Sequence, residues 1–386
     1  MLALLLSLNL FADLKVIPSD LKKWEWHQST LLGGFVKPEN DLSIERSVQG
    51  PNGPLKVRIW KTQDSKGLYV LIPGTGADAD SGNAGVLAET IYKNGFDVLI
   101  LANPFVVDFQ NSFSSDGLIG FPQKDKPDIY NMIFTALNQF STEFGEPKSL
   151  NITGFSLGGF YVEMLRPELS RIGFKKFIAL NPPLNFSHAM HQLDELIRIR
   201  MDEDPSLLDL LDQLIPLFRL VRKGLNKINL LLLKERIGDN EDQNKYLIGR
   251  SFQSVLKRIL EETVKREPFR SEYRGTRILL NKDYITFSKF LGYVGVVVGV
   301  QEPLKGKTLA DLVEELDLIE MINQNGNSEN LYVFTNGDDF LNTKKQLKSL
   351  VQNRSVKTFV FKDGGHCGNY WTPSFIKEFG RVLSAP

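Results

Sequence analysis

Two kinds of hydrophobic spacing divide the chain. Across residues 55–180, short apolar runs alternate with stretches of helical spacing. Residues 57–60 alternate apolar and polar positions and read as a strand. Residues 67–72 and 96–101 are apolar runs, stopped by Pro73-Gly74 and by Ala102-Asn103-Pro104. Residues 150–153 lead into Gly154, and the run 174–180 is stopped by Asn181-Pro182-Pro183. Between these runs, residues 84–92, 129–140 and 157–165 place apolar side chains three and four positions apart, as on one helix face. Apolar strands with little alternation, separated by helices, imply a parallel sheet covered on both sides. The expected fold class is α/β.

From about His188 to Leu318 the pattern turns mainly helical. Leu193, Leu196 and Ile197 recur at helical spacing, as do Leu207, Leu208, Leu211 and Leu214, then Val255 and Ile259. Residues 292–300 are too rich in glycine and valine to read as helix. The α/β pattern resumes with strands at 331–334 and 356–361 and helices at 344–351 and 374–383. The expected organisation is a core of residues 21–186 and 328–386, interrupted at 187–327 by a helical cap or lid. Ligand sites favour such boundaries, so the insertion is expected to roof the site. A plain helical subdomain away from the site is the alternative.

Residues 1–20 are either signal-like or an N-terminal packing segment. Residues 2–11 are apolar apart from Ser7 and Asn9, but no Lys or Arg precedes them. A signal would make the protein periplasmic or secreted; a packing segment would leave it cytoplasmic. No run of about 18 apolar residues appears, so no membrane-spanning helix is expected. Lys+Arg and Asp+Glu number 46 each, which argues against a general nucleic-acid binder. Cys367 is the one cysteine, so no intrachain disulfide can form.

The chemistry concentrates in Gly154-Phe155-Ser156-Leu157-Gly158, followed by Gly159. A serine at the apex of a tight strand-to-helix turn needs small neighbours, because strand and helix approach closely there. A serine hydroxyl is a weak nucleophile and needs a base, itself oriented by an acid. The histidines are His27, His188, His191 and His366. His366 follows the last strand in Gly364-Gly365-His366-Cys367-Gly368 and is the candidate base. His188 and His191 have no further ligand set around them and read as solvated helix residues; no metal and no cofactor is expected. The acid is expected after the preceding strand, where Asp338 and Asp339 are adjacent. Asp339 is preferred, one step further from the turn glycine, with Asp338 the alternative; Asp363 is too near His366. Backbone N–H groups of Leu157 and of Thr75, in Pro73-Gly74-Thr75-Gly76, are the candidate oxyanion donors.

Together, Pro73-Gly74-Thr75-Gly76, Gly154-Phe155-Ser156-Leu157-Gly158-Gly159, Asn336-Gly337-Asp338-Asp339 and Gly364-Gly365-His366 resemble the oxyanion loop, nucleophile elbow, acid turn and histidine loop of the α/β-hydrolase superfamily. They occur in that family's order, with its gap for a cap. Pro73 stands where many members carry a histidine; the donor is a backbone group, so this should not matter. The resemblance covers roughly residues 53–182 and 328–384 and implies an acyl-enzyme mechanism; the first expectation for its substrate is a small or medium acyl compound, a carboxylic ester. An acyltransferase or a peptidase would use the same residues. A non-catalytic binding protein would not need them. A membrane-associated lipase would place residues 228–233 (INLLLL) against lipid. The substrate and the oligomeric state are not written in these motifs.

Overall fold

The computed structural model describes residues 16–21, 24–199, 240–265, 285–298, 306, 308–326 and 328–385. A 9-stranded sheet organises them, in the order β1-β9-β8-β7-β6-β4-β5-β3-β2. The strands are β1 (Val16–Ile17), β2 (Ile44–Gln49), β3 (Pro54–Trp60), β4 (Leu68–Ile72), β5 (Asp97–Ile100), β6 (Leu150–Phe155), β7 (Phe174–Leu180), β8 (Leu331–Asn336) and β9 (Lys357–Phe361). From β1 through β5 in that spatial order the pairings are parallel; β3 and β2 add an antiparallel edge.

Helices cover both faces, as the unalternating strands require. Leu68, Val70 and Ile72 of β4 face one core, with α4 (Pro122–Phe144) and α5 (Leu157–Arg171) packed on it. Tyr69 and Leu71 face the other, under α2 (Gly82–Lys93) and α12 (Pro373–Ser384). Each fully buried Leu, Ile or Phe contributes about 1.5–3 kcal/mol. Two shorter helices, α1 (Trp26–Gly33) and α3 (Val107–Ser112), precede β2 and follow β5; α11 (Lys344–Gln352) links β8 to β9.

The chain leaves β4 for β5 on one side, returns past it to β6, and then proceeds to β7 on the other side. The loops after β4 and β6 therefore diverge at neighbouring strand ends. A crevice at such a reversal is where open α/β sheets bind ligands.

Between β7 and β8 lie α6 (Phe186–Arg198), α7 (Glu241–Thr263), α8 (Phe287–Val298), α9 (Leu309–Glu314) and α10 (Leu318–Asn325). Gly249 lets α7 cross α6 closely: a Cβ there would lie 2.2 Å from the Leu196 carbonyl oxygen. The stretch from Gly292, read from sequence as non-helical, is helical through Val298. Burial of Phe290, Leu291 and Val294 outweighs its weak propensity. The buried Asp194 carboxylate also accepts from the N–H groups of Phe287 (2.6 Å) and Ser288 (3.1 Å), satisfying donors that the first turn leaves open. Leu207, Leu208, Leu211, Leu214 and residues 228–233 lie outside the described residues, as do residues 1–15. Among the described residues, no helix is long and apolar enough to cross a membrane.

Candidate active site

Ser156 sits between β6 and α5 with φ 55° and ψ −126°, a conformation that costs a non-glycine residue energy. Packing around the turn enforces it. A Cβ on Gly158 would lie 2.1 Å from the Ile72 carbonyl oxygen, and one on Gly154 would lie 2.5 Å from the Gly158 carbonyl carbon. The Ser156 N–H donates to the Leu180 carbonyl at 2.8 Å, anchoring the turn to β7.

The other side chains arrive from the ends of β8 and β9. His366 Nε2 lies 2.8 Å from Ser156 Oγ, and its Nδ1 lies 3.1 and 3.0 Å from the two carboxylate oxygens of Asp339. An ionised carboxylate only accepts, so Nδ1 carries the proton and Nε2 is left to accept from the serine hydroxyl. All three residues are buried. Asp339 takes further donors from Asn181 Nδ2 (3.0 Å) and the Leu341 N–H (3.0 Å), and Tyr370 donates to Asn181 Oδ1 (3.1 Å).

Asp338 faces elsewhere. Its carboxylate accepts from the N–H groups of Gly365 (2.9 Å) and Gly364 (3.2 Å), tying the acid turn to the histidine loop. Burial pushes the Asp338 carboxyl up to about 6, against the pull of those two N–H groups. Burial likewise opposes the charged form of His366, but Asp339 and, after it, Cys367 together outweigh burial and raise the imidazole well above its ordinary range.

The loop after β4 borders the serine: a Cβ on Gly74 would lie 2.9 Å from Ser156 Cβ. Asn103, fully buried after β5, holds this loop by donating from Nδ2 to the Pro73 carbonyl (2.7 Å) and from its N–H to the Ala77 carbonyl (3.0 Å). Leu157 opens α5, so its N–H has no acceptor within the helix. Thr75, Ser156 and Leu157 line a narrow cavity of about 40 Å³. Its far wall is apolar and comes largely from α6, α7 and α8, through Ala189, Met190, Leu193, Phe252, Phe287 and Leu291. The α7 helix also presses on the Thr75 loop, since Gly76 (φ 73°) has room for no Cβ beside Val255.

No protein-family model and no curated protein sequence matches the chain. Solved structures resemble it at low identity. DcsB in complex with a substrate analogue is 12% identical with TM-score 0.47, over 88% of this chain and 98% of that one. A monoglyceride lipase from Saccharomyces cerevisiae is 12% identical with TM-score 0.46, over 90% and 97%. An esterase from Pyrococcus furiosus is 10% identical with TM-score 0.44, over 88% and 91%. The chain's own geometry decides the architecture: a strained serine turn leaves β6 at the point where a mostly parallel sheet reverses its winding, and helices cover both faces. This is the α/β-hydrolase fold.

Within that fold, the structure brings Ser156, His366 and Asp339 together and places Thr75 and Leu157 beside the serine. His27 lies in α1, with Nδ1 3.2 Å from Asn244 Nδ2 of α7, and His188 and His191 lie on α6. Among the described residues, no three His, Cys, Asp or Glu side chains converge as a metal would need. Sequence reading missed Asn103, Asn181 and Thr30. Thr30 Oγ1 accepts from the His366 N–H at 2.8 Å and donates to the Trp26 carbonyl at 2.8 Å. Asn103 and Asn181 do follow strand ends at Pro-containing stops, the one signal that could have found them.

Proposed function

We propose that this protein is a serine hydrolase that cleaves an acyl bond, most simply a carboxylic ester with a short acyl chain. The observation that carries the reading is the unbroken line of hydrogen bonds from Ser156 through His366 to Asp339, at 2.8 and 3.0–3.1 Å, opening onto a buried cavity. His366 takes the Ser156 proton as the oxygen attacks the acyl carbon. The Thr75 and Leu157 N–H groups stabilise the negative charge on the carbonyl oxygen. His366 then protonates the departing alcohol, and water, deprotonated by the same imidazole, releases the acid. Asp339 holds the imidazole in the required tautomer and stabilises the imidazolium.

A fluorophosphonate probe tests the nucleophile. The wild-type protein is expected to label and Ser156→Ala not to, with kcat on p-nitrophenyl esters lowered by at least ~10⁴-fold. A short-chain optimum across esters of rising length would fit the 40 Å³ cavity. A well-folded wild type that neither labels nor turns over any ester refutes the hydrolase reading.

The pH profile follows from the imidazole. Only neutral His366 can accept the serine proton, so kcat/KM is expected to rise with pH through a midpoint above the ordinary histidine value of 6.5. A midpoint at or below 6.5 in stopped-flow or steady-state measurements would contradict the influence assigned to Asp339.

A further inference from the structure

The cavity is apolar except at a few hydroxyls. Beside Ser156, the hydroxyl-bearing residues on its wall are Thr75 and Tyr161. Thr75 lies in the loop against the nucleophile. Tyr161 belongs to α5, further along the helix that Ser156 opens. Tyr161 is 1% exposed, and among the described residues its hydroxyl makes no hydrogen bond. Buried tyrosine hydroxyls ordinarily have a partner, because leaving one unpaired is costly. Burial first, and Asp125 second, hold this hydroxyl as neutral O–H, able both to donate and to accept. The cavity wall nearby is fixed as well, since the Gly120 N–H, on that wall, donates to Asp125 Oδ2 at 2.8 Å.

We propose that Tyr161 selects the acyl group, favouring chains that carry an oxygen a few atoms from the carbonyl over plain hydrocarbon chains. This rests on the hydrolase reading. The physical basis is exchange of hydrogen bonds. A methylene arriving beside it leaves the O–H unpaired, whereas an ether or hydroxyl oxygen pairs with it. A site with a committed polar group thus discriminates against the isostere that lacks its partner. The small volume limits the group to a short chain, so the oxygen is expected two or three bonds beyond the carbonyl carbon.

The test compares isosteric p-nitrophenyl esters: butyrate with methoxyacetate, and pentanoate with 3-methoxypropionate. The quantity read is the kcat/KM ratio of ether to hydrocarbon ester, measured in wild type and in Tyr161→Phe. Intrinsic reactivity and any general change in activity cancel in the ratio of ratios. For at least one pair the ether preference is expected to fall about 10-fold in Tyr161→Phe. Equal ratios in the two proteins, for both pairs, would overturn the assignment of Tyr161 while leaving the hydrolase reading intact. A wild type that turns over none of the four esters and takes no fluorophosphonate would overturn both.

Discussion

Asp339→Asn is expected to lower kcat by about 10⁴-fold at neutral pH, with KM little changed. An asparagine at 339 keeps the shape of the acid but can turn its amide N–H groups toward the ring. The imidazole then settles with Nδ1 accepting and Nε2 protonated, the wrong tautomer to receive the Ser156 proton. The imidazolium of the transition state also loses its counter-charge. Asp338→Asn removes something different. One of the N–H groups of Gly364 and Gly365 loses its acceptor, at a cost of about 1–3 kcal/mol in stability, while the line from His366 to Asp339 stays intact. Its kcat is expected to fall by no more than about 10-fold, an order that sits well below the tautomer effect. Kinetics and urea denaturation of both variants separate the roles. A larger loss of kcat in Asp338→Asn than in Asp339→Asn would reverse the assignment.

Gly158→Ala is expected to be among the most damaging single methyl additions at the described residues. The added carbon would lie 2.1 Å from the Ile72 carbonyl oxygen and 2.3 Å from that of Pro73. Both are backbone atoms at the end of a fully buried strand, so neither moves aside without displacing β4 from α5. The expected loss exceeds ~4 kcal/mol, the range of severe core disruption. Gly292→Ala is the control. Among the described residues a Cβ there meets nothing within 4 Å, and the site is inside α8. Alanine should add about 0.5–1 kcal/mol by restricting the unfolded chain and favouring helix. Midpoints of urea denaturation that move the same way in both variants would contradict the packing described for the serine turn.

The parts of this site that sequence revealed are those where chemistry dictates local composition. A serine on a strained turn needs Gly154, Gly158 and Gly159 around it, and a histidine reaching back from a loop needs Gly364 and Gly365. Chain order then separated His366 from the other histidines. The residues that stayed hidden act across long separations and have ordinary neighbours. Thr30 lies in an eight-residue helix whose buried positions include His27, Gln28 and Ser29, so no apolar stripe announces it. β2 alternates charged and polar residues with few apolar ones, because it is an edge strand, and so gave no hydrophobic signal. The choice between Asp338 and Asp339 depends on which way each carboxylate faces after the Asn336-Gly337 turn. Adjacent residues share every local signal that could be read.

The bond between Thr30 and His366 joins positions 336 apart, and the bond between His366 and Ser156 joins positions 210 apart. During synthesis, Thr30, the Thr75 loop and Ser156 all exist well before the imidazole. At ordinary ribosomal speed the interval between Ser156 and His366 is roughly 10–40 s. Throughout it the serine is an ordinary alcohol without its base. On the proposed mechanism, the nascent chain is therefore chemically silent while most of it is already made, and its serine gains a base only when the histidine loop closes onto α1.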